Sequence, residues 1–148
     1  MVDITFIKVK ADTELAKNSP YYIFTETGMK HPENKDLSIE FLDGFDNCWD
    51  IIDMLGRYNT IKKEDLDEST RKTLDIYHDP QMCYDPPERI FEEALQKMEK
   101  EIQSDEYQNR WHGDAELIKS DIQRRLDVVH KCMQAIKDGY NVYFMYDY

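Results

Sequence analysis

The stretch Tyr140-Asn-Val-Tyr-Phe-Met-Tyr-Asp-Tyr148 constrains the fold more than any other part of the chain. It is aromatic and β-branched, as strands are, and it follows directly on a long helical pattern that stops at Gly139. A strand this apolar cannot stand alone in water, because its backbone groups and its side chains both require a sheet. The other strand-like segments lie near the opposite end of the sequence. Residues 140–148 are therefore expected to pair with one of them.

Three such segments occur. Residues 3–10 (Asp-Ile-Thr-Phe-Ile-Lys-Val-Lys) are β-branched and aromatic. Residues 21–27 follow Asn18-Ser19-Pro20 and stop at Gly28. Residues 37–42 set Leu37, Ile39 and Phe41 against Ser38, Glu40 and Leu42, the period of a half-buried strand. Asp43-Gly44 breaks that alternation, and a helix is predicted over 45–58 with Phe45, Cys48, Ile52 and Leu55 as its apolar stripe. A second helix is predicted over 62–78 on Leu66, Thr70, Leu74 and Tyr77, closed by Asp79-Pro80.

Asp85-Pro86-Pro87-Glu88 reads as an N-cap, a first helical position and a capping-box acid. It opens a helix that follows Ile90, Ala94, Leu95, Met98 and Ile102 to Ser104. Residues 105–109 are polar and without period, and Trp111-His112-Gly113 is a turn in which Trp111 anchors the loop and His112 faces solvent. Asp114 caps the longest helix, 115–138, with Ile118, Ile122, Leu126, Val129, Met133 and Ile136 inward and Gly139 as a left-handed stop. The order β-β-β-α-α-α-α-β predicts a single α+β domain over 1–148. Its small, mostly antiparallel sheet joins the three N-terminal strands to the C-terminal one, under about four helices.

Sixteen Phe and Tyr residues, with Trp49 and Trp111, call for a packed core despite a net charge of −12. The acidity is concentrated: residues 36–95 hold sixteen acids and six bases. That field opposes contact with nucleic acid, whose binding needs cations to displace phosphate counterions, and with anionic membrane surfaces. It attracts a basic protein partner. Cys48, Cys83 and Cys132 show no CxxC spacing, no signal-peptide pattern opens the sequence, and no apolar run is long enough to span a membrane, so a reducing cytosol is expected.

Chemistry-bearing motifs are missing. His31, His78, His112 and His130 lack metal-ligand spacing, and Asp65-Leu-Asp67-Glu-Ser69 lacks the sixth-position Gly and twelfth-position Glu of a calcium loop. There is no GxSxG, and Gly28, Gly44, Gly56, Gly113 and Gly139 are too scattered for a phosphate-binding loop. No metal and no cofactor are expected.

What stands out is acid. Between Asp36 and Gly56 the chain carries Asp36, Glu40, Asp43, Asp46, Asp50 and Asp53 and no Lys or Arg. The last four are spaced three, four and three apart, the repeat of one helix face. Like charges at those spacings repel, so such a helix either has a solvated face or holds the stripe for a basic partner. A row of carboxylates can mimic phosphates and occupy the cleft of a nuclease or polymerase. Asp43, Asp46, Asp50 and Asp53, with Glu40 and Asp36, are the candidate partner-binding residues, and Glu64, Asp65, Asp67 and Glu68 extend the patch if their helix lies alongside.

In its small size, acidity and α+β character the chain resembles immunity proteins that neutralise nuclease toxins, and phage-encoded inhibitors of host defence. The resemblance is one of type and charge, so it transfers no residue roles. It implies a non-enzymatic inhibitor, or nucleic-acid mimic, directed at a basic protein. Two alternatives stand beside it: an uncharacterised small enzyme using carboxylates such as Asp46 with Asp50 or Glu92 with Glu93, and a homo-oligomeric assembly subunit joined through the C-terminal strand.

Overall fold

The computed structural model describes residues 3–10, 39–46, 48–59 and 88–147. They form strand β1 (Asp3–Lys10), strand β2 (Ile39–Asp46), helix α1 (Trp49–Tyr58), strand β3 (Glu88–Ile90) and helix α2 (Glu92–Ile102). Helix α3 (Asp105–Gln108), helix α4 (Ala115–Lys137) and strand β4 (Tyr140–Asp147) follow. The strands make one antiparallel sheet in the order β2-β1-β4-β3, and the fold is α+β. The segments predicted as a strand over 21–27 and a helix over 62–78 lie outside the described residues.

The strand 140–148 does return to the N-terminal strand. All eight residues of β1 pair with β4, from Asp3 opposite Asp147 to Lys10 opposite Tyr140. Directly opposite residues share a face. Ile4 with Tyr146 and Phe6 with Phe144 therefore point to one side, where Val142 joins them in the core. Ile51, Met54 and Leu55 of α1, Leu95, Met98 and Ile102 of α2, and Val128, Val129 and Cys132 of α4 cover that side. Ile7 and Tyr143, opposite each other on the second face, are buried as well. β4 has β1 along its whole length on one side and β3 against Val142–Phe144, three of its eight residues, on the other. The outer strands of the described sheet are β2 and β3.

Three predicted boundaries are corrected. The strand placed at 37–42 runs on to Asp46, and the helix placed at 45–58 begins only at Trp49. The reason is a β-bulge: Phe6 faces Asp43 while Ile7 faces Phe41, so Leu42 is the extra residue. Phe41, opposite Ile7 on the second face, is 57% exposed; the bulge puts Leu42 and Asp43 together on the other side, where Leu42 packs on the core. Gly44, read as a breaker, instead lets two strands close up, since a Cβ there would stand 3.0 Å from the Ile4 carbonyl oxygen.

The second correction is at residues 88–90, predicted as the first turn of a helix. They are strand, and α2 starts at Glu92 after an extended Phe91 without a side-chain cap. Tertiary contacts override the local signal: Ile90 buries opposite Val142. Asn59, at the end of α1, donates to the Arg89 carbonyl at 2.8 Å and accepts from Phe91 N at 3.2 Å. Third, residues 105–108 are not irregular but a single helical turn capped by Ser104, whose hydroxyl accepts from Tyr107 N at 3.2 Å.

Helix α4 starts where expected. Asp114 caps it by accepting from the amides of Glu116 and Leu117, and Gly139 ends it at φ +87°. Of the predicted stripe, Ile122, Leu126, Val129, Met133 and Ile136 pack on the core, but its most buried line lies to one side of them. The fully buried positions are Val128, Val129, Cys132 and Ala135, and of the predicted six only Val129 is among them.

Substituting Leu95, which is 1% exposed, by Ala is expected to lower unfolding free energy by about 2–5 kcal/mol. Gly139→Ala should cost about 1–2 kcal/mol through conformation alone, since a Cβ there would meet nothing within 4 Å. Urea unfolding followed by circular dichroism measures both, and a neutral Gly139→Ala would show that the left-handed stop is not required.

Candidate functional site

The six candidate acids do not form one surface. Asp43 and Asp46 stand on β2, Asp50 and Asp53 on α1, Glu40 on β2, and Asp36 lies outside the described residues. The helical spacing of Asp43, Asp46, Asp50 and Asp53 breaks because the bulged strand extends through the first two. Four of the five described acids also have partners within the molecule.

Asp43 is 7% exposed and points from β2 under α4. Arg124 Nη1 donates to it at 2.7 Å, Lys131 Nζ at 2.8 Å, and the Gly44 amide at 2.8 Å. Arg124 also reaches the Gly44 carbonyl at 3.0 Å. The hydrogen bond from Arg124 is the main reason the Asp43 carboxyl lies far below the usual carboxylate range. Burial opposes that shift, and Lys131 and the Gly44 amide reinforce it.

Asp50, on the first turn of α1, is the centre of a second cluster. Arg125 Nε donates to it at 2.7 Å and Arg125 Nη2 at 3.2 Å, while the Tyr107 hydroxyl donates to the same carboxylate. Cys48 Sγ accepts from Arg125 Nη2 at 3.2 Å and lies 3.3 Å from Asp50 Oδ1. The Arg125 guanidinium lies 4.5 Å from the centre of the Trp111 ring, which meets Tyr107 edge-on. Burial pushes the Asp50 carboxyl up, but the hydrogen bonds from Arg125 and Tyr107 outweigh it, and the net shift is down. The Tyr107 hydroxyl is pushed up by burial and by its bond to Asp50.

The outer pairs are simpler. Asp53 accepts from Arg57 Nε at 3.0 Å, while Arg57 Nη2 grips both oxygens of Glu101 at 2.9 Å and ties α1 to α2. Glu40 pairs with Lys8 at 3.2 Å. Asp46 is exposed and has no ion pair among the described residues. It sits directly opposite Asp3 in the ladder, a like-charge pairing that costs a sheet stability.

Sequence reasoning missed Arg124, Arg125, Lys131 and Tyr107. The signal lay in α4: Arg124 and Arg125 each stand four residues before a buried valine, Val128 and Val129. They continue the buried stripe, where an arginine needs a carboxylate. His112 is exposed as expected, Trp111 is half-buried, and His130 lies 3.3 Å from Glu99 on the surface. His31, His78 and Cys83 lie outside the described residues.

Among the described residues no three His, Cys, Asp or Glu side chains converge as a metal site would require. The Cys48 and Cys132 thiols are pushed up to about 12, chiefly by burial, with Asp50 and Asp43 respectively adding to it. A concavity of about 480 Å³ beside the first turns of α4 has Trp111, Ile118, Ile122 and Leu126 as apolar walls, and its one titratable lining group among the described residues is Lys119. Within the described residues no helix is long and apolar enough to cross a membrane. No protein-family model, curated protein or solved structure matches the chain.

Because Asp43 and Asp50 have lowered folded-state values, the stability they contribute is complete above the ordinary carboxylate range near pH 4. It is lost as pH falls through the lowered values. Unfolding free energy is thus expected to drop below about pH 4, with a shallower drop in Asp50→Asn, as read by urea titrations at several pH values. Arg125→Met, which leaves Asp50 half-buried without its cation, should cost about 3–5 kcal/mol. The double variant Arg125→Met/Asp50→Leu should cost less than the sum of the singles. In a Cys83→Ser background, Cys48 and Cys132 should react with a thiol reagent only at the rate of unfolding. Rapid labelling in the native state would contradict the burial assigned to them.

Proposed function

We propose that the protein is a non-enzymatic acidic binding protein that neutralises a basic, nucleic-acid-acting protein, as an immunity protein does for a nuclease toxin or a phage-type inhibitor for a host defence enzyme. The distribution of charge carries this reading. Lys8, Arg57, Arg110, Arg124, Arg125 and Lys131 all engage carboxylates of the same molecule. Asp3, Asp46, Glu92, Glu93, Asp105, Glu116 and Asp121 remain exposed without an ion pair among the described residues. Lys97, Lys100, Lys119 and Lys137 are exposed and without an ion pair among the described residues as well, fewer than these acids, so in a chain of net charge −12 the excess that faces outward is negative. Such a field speeds encounter with a cationic surface and lets carboxylates occupy the places of phosphates.

The enzymatic alternative has less support. Among the described residues the carboxylates with displaced proton affinities, Asp43 and Asp50, are held ionised by arginines rather than poised near neutrality. Neither lines the concavity beside α4. The free thiols of Cys48 and Cys132 fit a reducing, cytosolic setting.

Capture from nuclease-treated lysate tests the proposal. The retained partner should be basic and should release as salt rises from about 0.1 to 1 M, which shortens the screening length from about 10 to 3 Å. Its activity on nucleic acid should disappear when the protein is added in equal amount. A partner that is acidic or neutral, or that stays bound irrespective of salt, would reject the proposal, as would one that keeps its activity in the complex.

A further inference from the structure

The first turns of α4 bury no side chain fully, and a groove lies between them and the end of α3. Ile118, Ile122 and Leu126 step four residues apart along one line of the helix, half-buried. With Trp111 they wall the concavity of about 480 Å³. By the helical rise that line is about 12 Å long. Lys119 and Gln123, also four apart and exposed, form the line beside it, and Gln108 and Asn109 at the end of α3 add two carboxamides. Trp111 is held in place without any ligand: Arg125 lies over its ring at 4.5 Å, and Tyr107 meets it edge-on. The charge of this lining is unlike that of the chain. Among the described residues it contains no Asp or Glu, although the chain has 31 of them, and its one charged group is Lys119. Glu116, three residues before Lys119, lines the neighbouring concavity with it, yet Lys119 has no ion pair among the described residues.

We propose that this groove binds a single-chain aliphatic carboxylate, with the chain along Ile118, Ile122 and Leu126 against Trp111 and the head at Lys119. It is a small-molecule site, independent of the basic-partner reading above. Its volume lies within the range of ligand pockets, and its make-up is theirs: apolar walls with a few polar groups that orient the ligand. A straight row of aliphatic side chains suits a linear chain better than a compact ring system. One ammonium balances one negative charge, and the amide groups of Gln108, Asn109 and Gln123 can donate to the remaining lone pairs of a carboxylate. A cationic head would instead meet Lys119 with like charge. Because Lys119 is exposed, its pairing adds modestly, and the apolar chain supplies most of the affinity.

Decanoate below its micelle concentration is the probe, and Trp49→Phe the protein, since Trp111 is then its only indole. Trp49 is 56% exposed on α1 and does not line the groove. Trp111 fluorescence should change saturably with decanoate. Octanoate should bind about 4- to 15-fold more weakly, the effect of two methylenes half to fully buried. Decanol should bind about 2- to 5-fold more weakly than decanoate, and Lys119→Met should abolish that difference while Lys119→Arg keeps it. Ile118→Ser should weaken decanoate and decanol alike. Decylammonium is the decisive control, because the net charge of −12 favours it everywhere except at Lys119. If it moves the Trp111 signal as readily as decanoate does, the chains adsorb to the acidic surface at large and the proposal fails. A flat Trp111 signal up to several millimolar decanoate rejects it too, as does a Lys119→Met variant that still prefers decanoate to decanol. Lys119 is exposed and unbonded among the described residues, so that variant should fold as the parent does.

Discussion

Two adjacent arginines determine how α4, the longest helix among the described residues, lies on this molecule. Arg124 and Arg125 are about 100° apart around α4, and each reaches a carboxylate on a different element: Asp43 on β2 and Asp50 on α1. A hydrophobic stripe alone allows a helix to roll, since one methyl group replaces another at little loss. Two directed ion pairs on diverging radii do not. They set the rotation and height of α4, and with them which side chains enter the core. Val128, Val129, Cys132 and Ala135 are buried because the turn before them is clamped.

This arrangement also changes what an acidic sequence means. The carboxylates that look most like a docking stripe are the ones the fold consumes. Asp43 and Asp50 are structural, and their charge never reaches the outer field at full strength. The acids that do face outward are dispersed among β1, β2 and all three of α2, α3 and α4. The outward charge is therefore spread over a broad surface, not ruled along one line.

The elements legible in the sequence were those whose signals are local and mutually consistent. The long helix between Asp114 and Gly139 is one, and the aromatic strand after it is another. The return of that strand to the first one followed from solvent physics. What was not legible depended on contacts distant in sequence. A bulge at Leu42 turned a predicted helix start into strand, and Asn59 with the Ile90–Val142 pairing turned a predicted helix turn into a second strand partner for β4. The site suffered most, because three-residue and four-residue spacings mean a shared face only if the segment is helical throughout. Trp49 was readable as a helix residue, but its outward position depended on where α1 begins.

The place of β4 in the sheet has a kinetic side. Phe6 meets Phe144, 138 positions away in sequence, so the central ladder closes one of the longest loops the chain contains. Contacts this remote are slow to form, because a large entropy of closure must be met before any of them rewards it. Until residues 140–147 arrive, Ile4 and Phe6 lack the neighbour that shields them. A nascent or clipped chain lacking this segment would present an apolar strand with an open edge, the kind of surface that chaperones hold and that aggregates recruit.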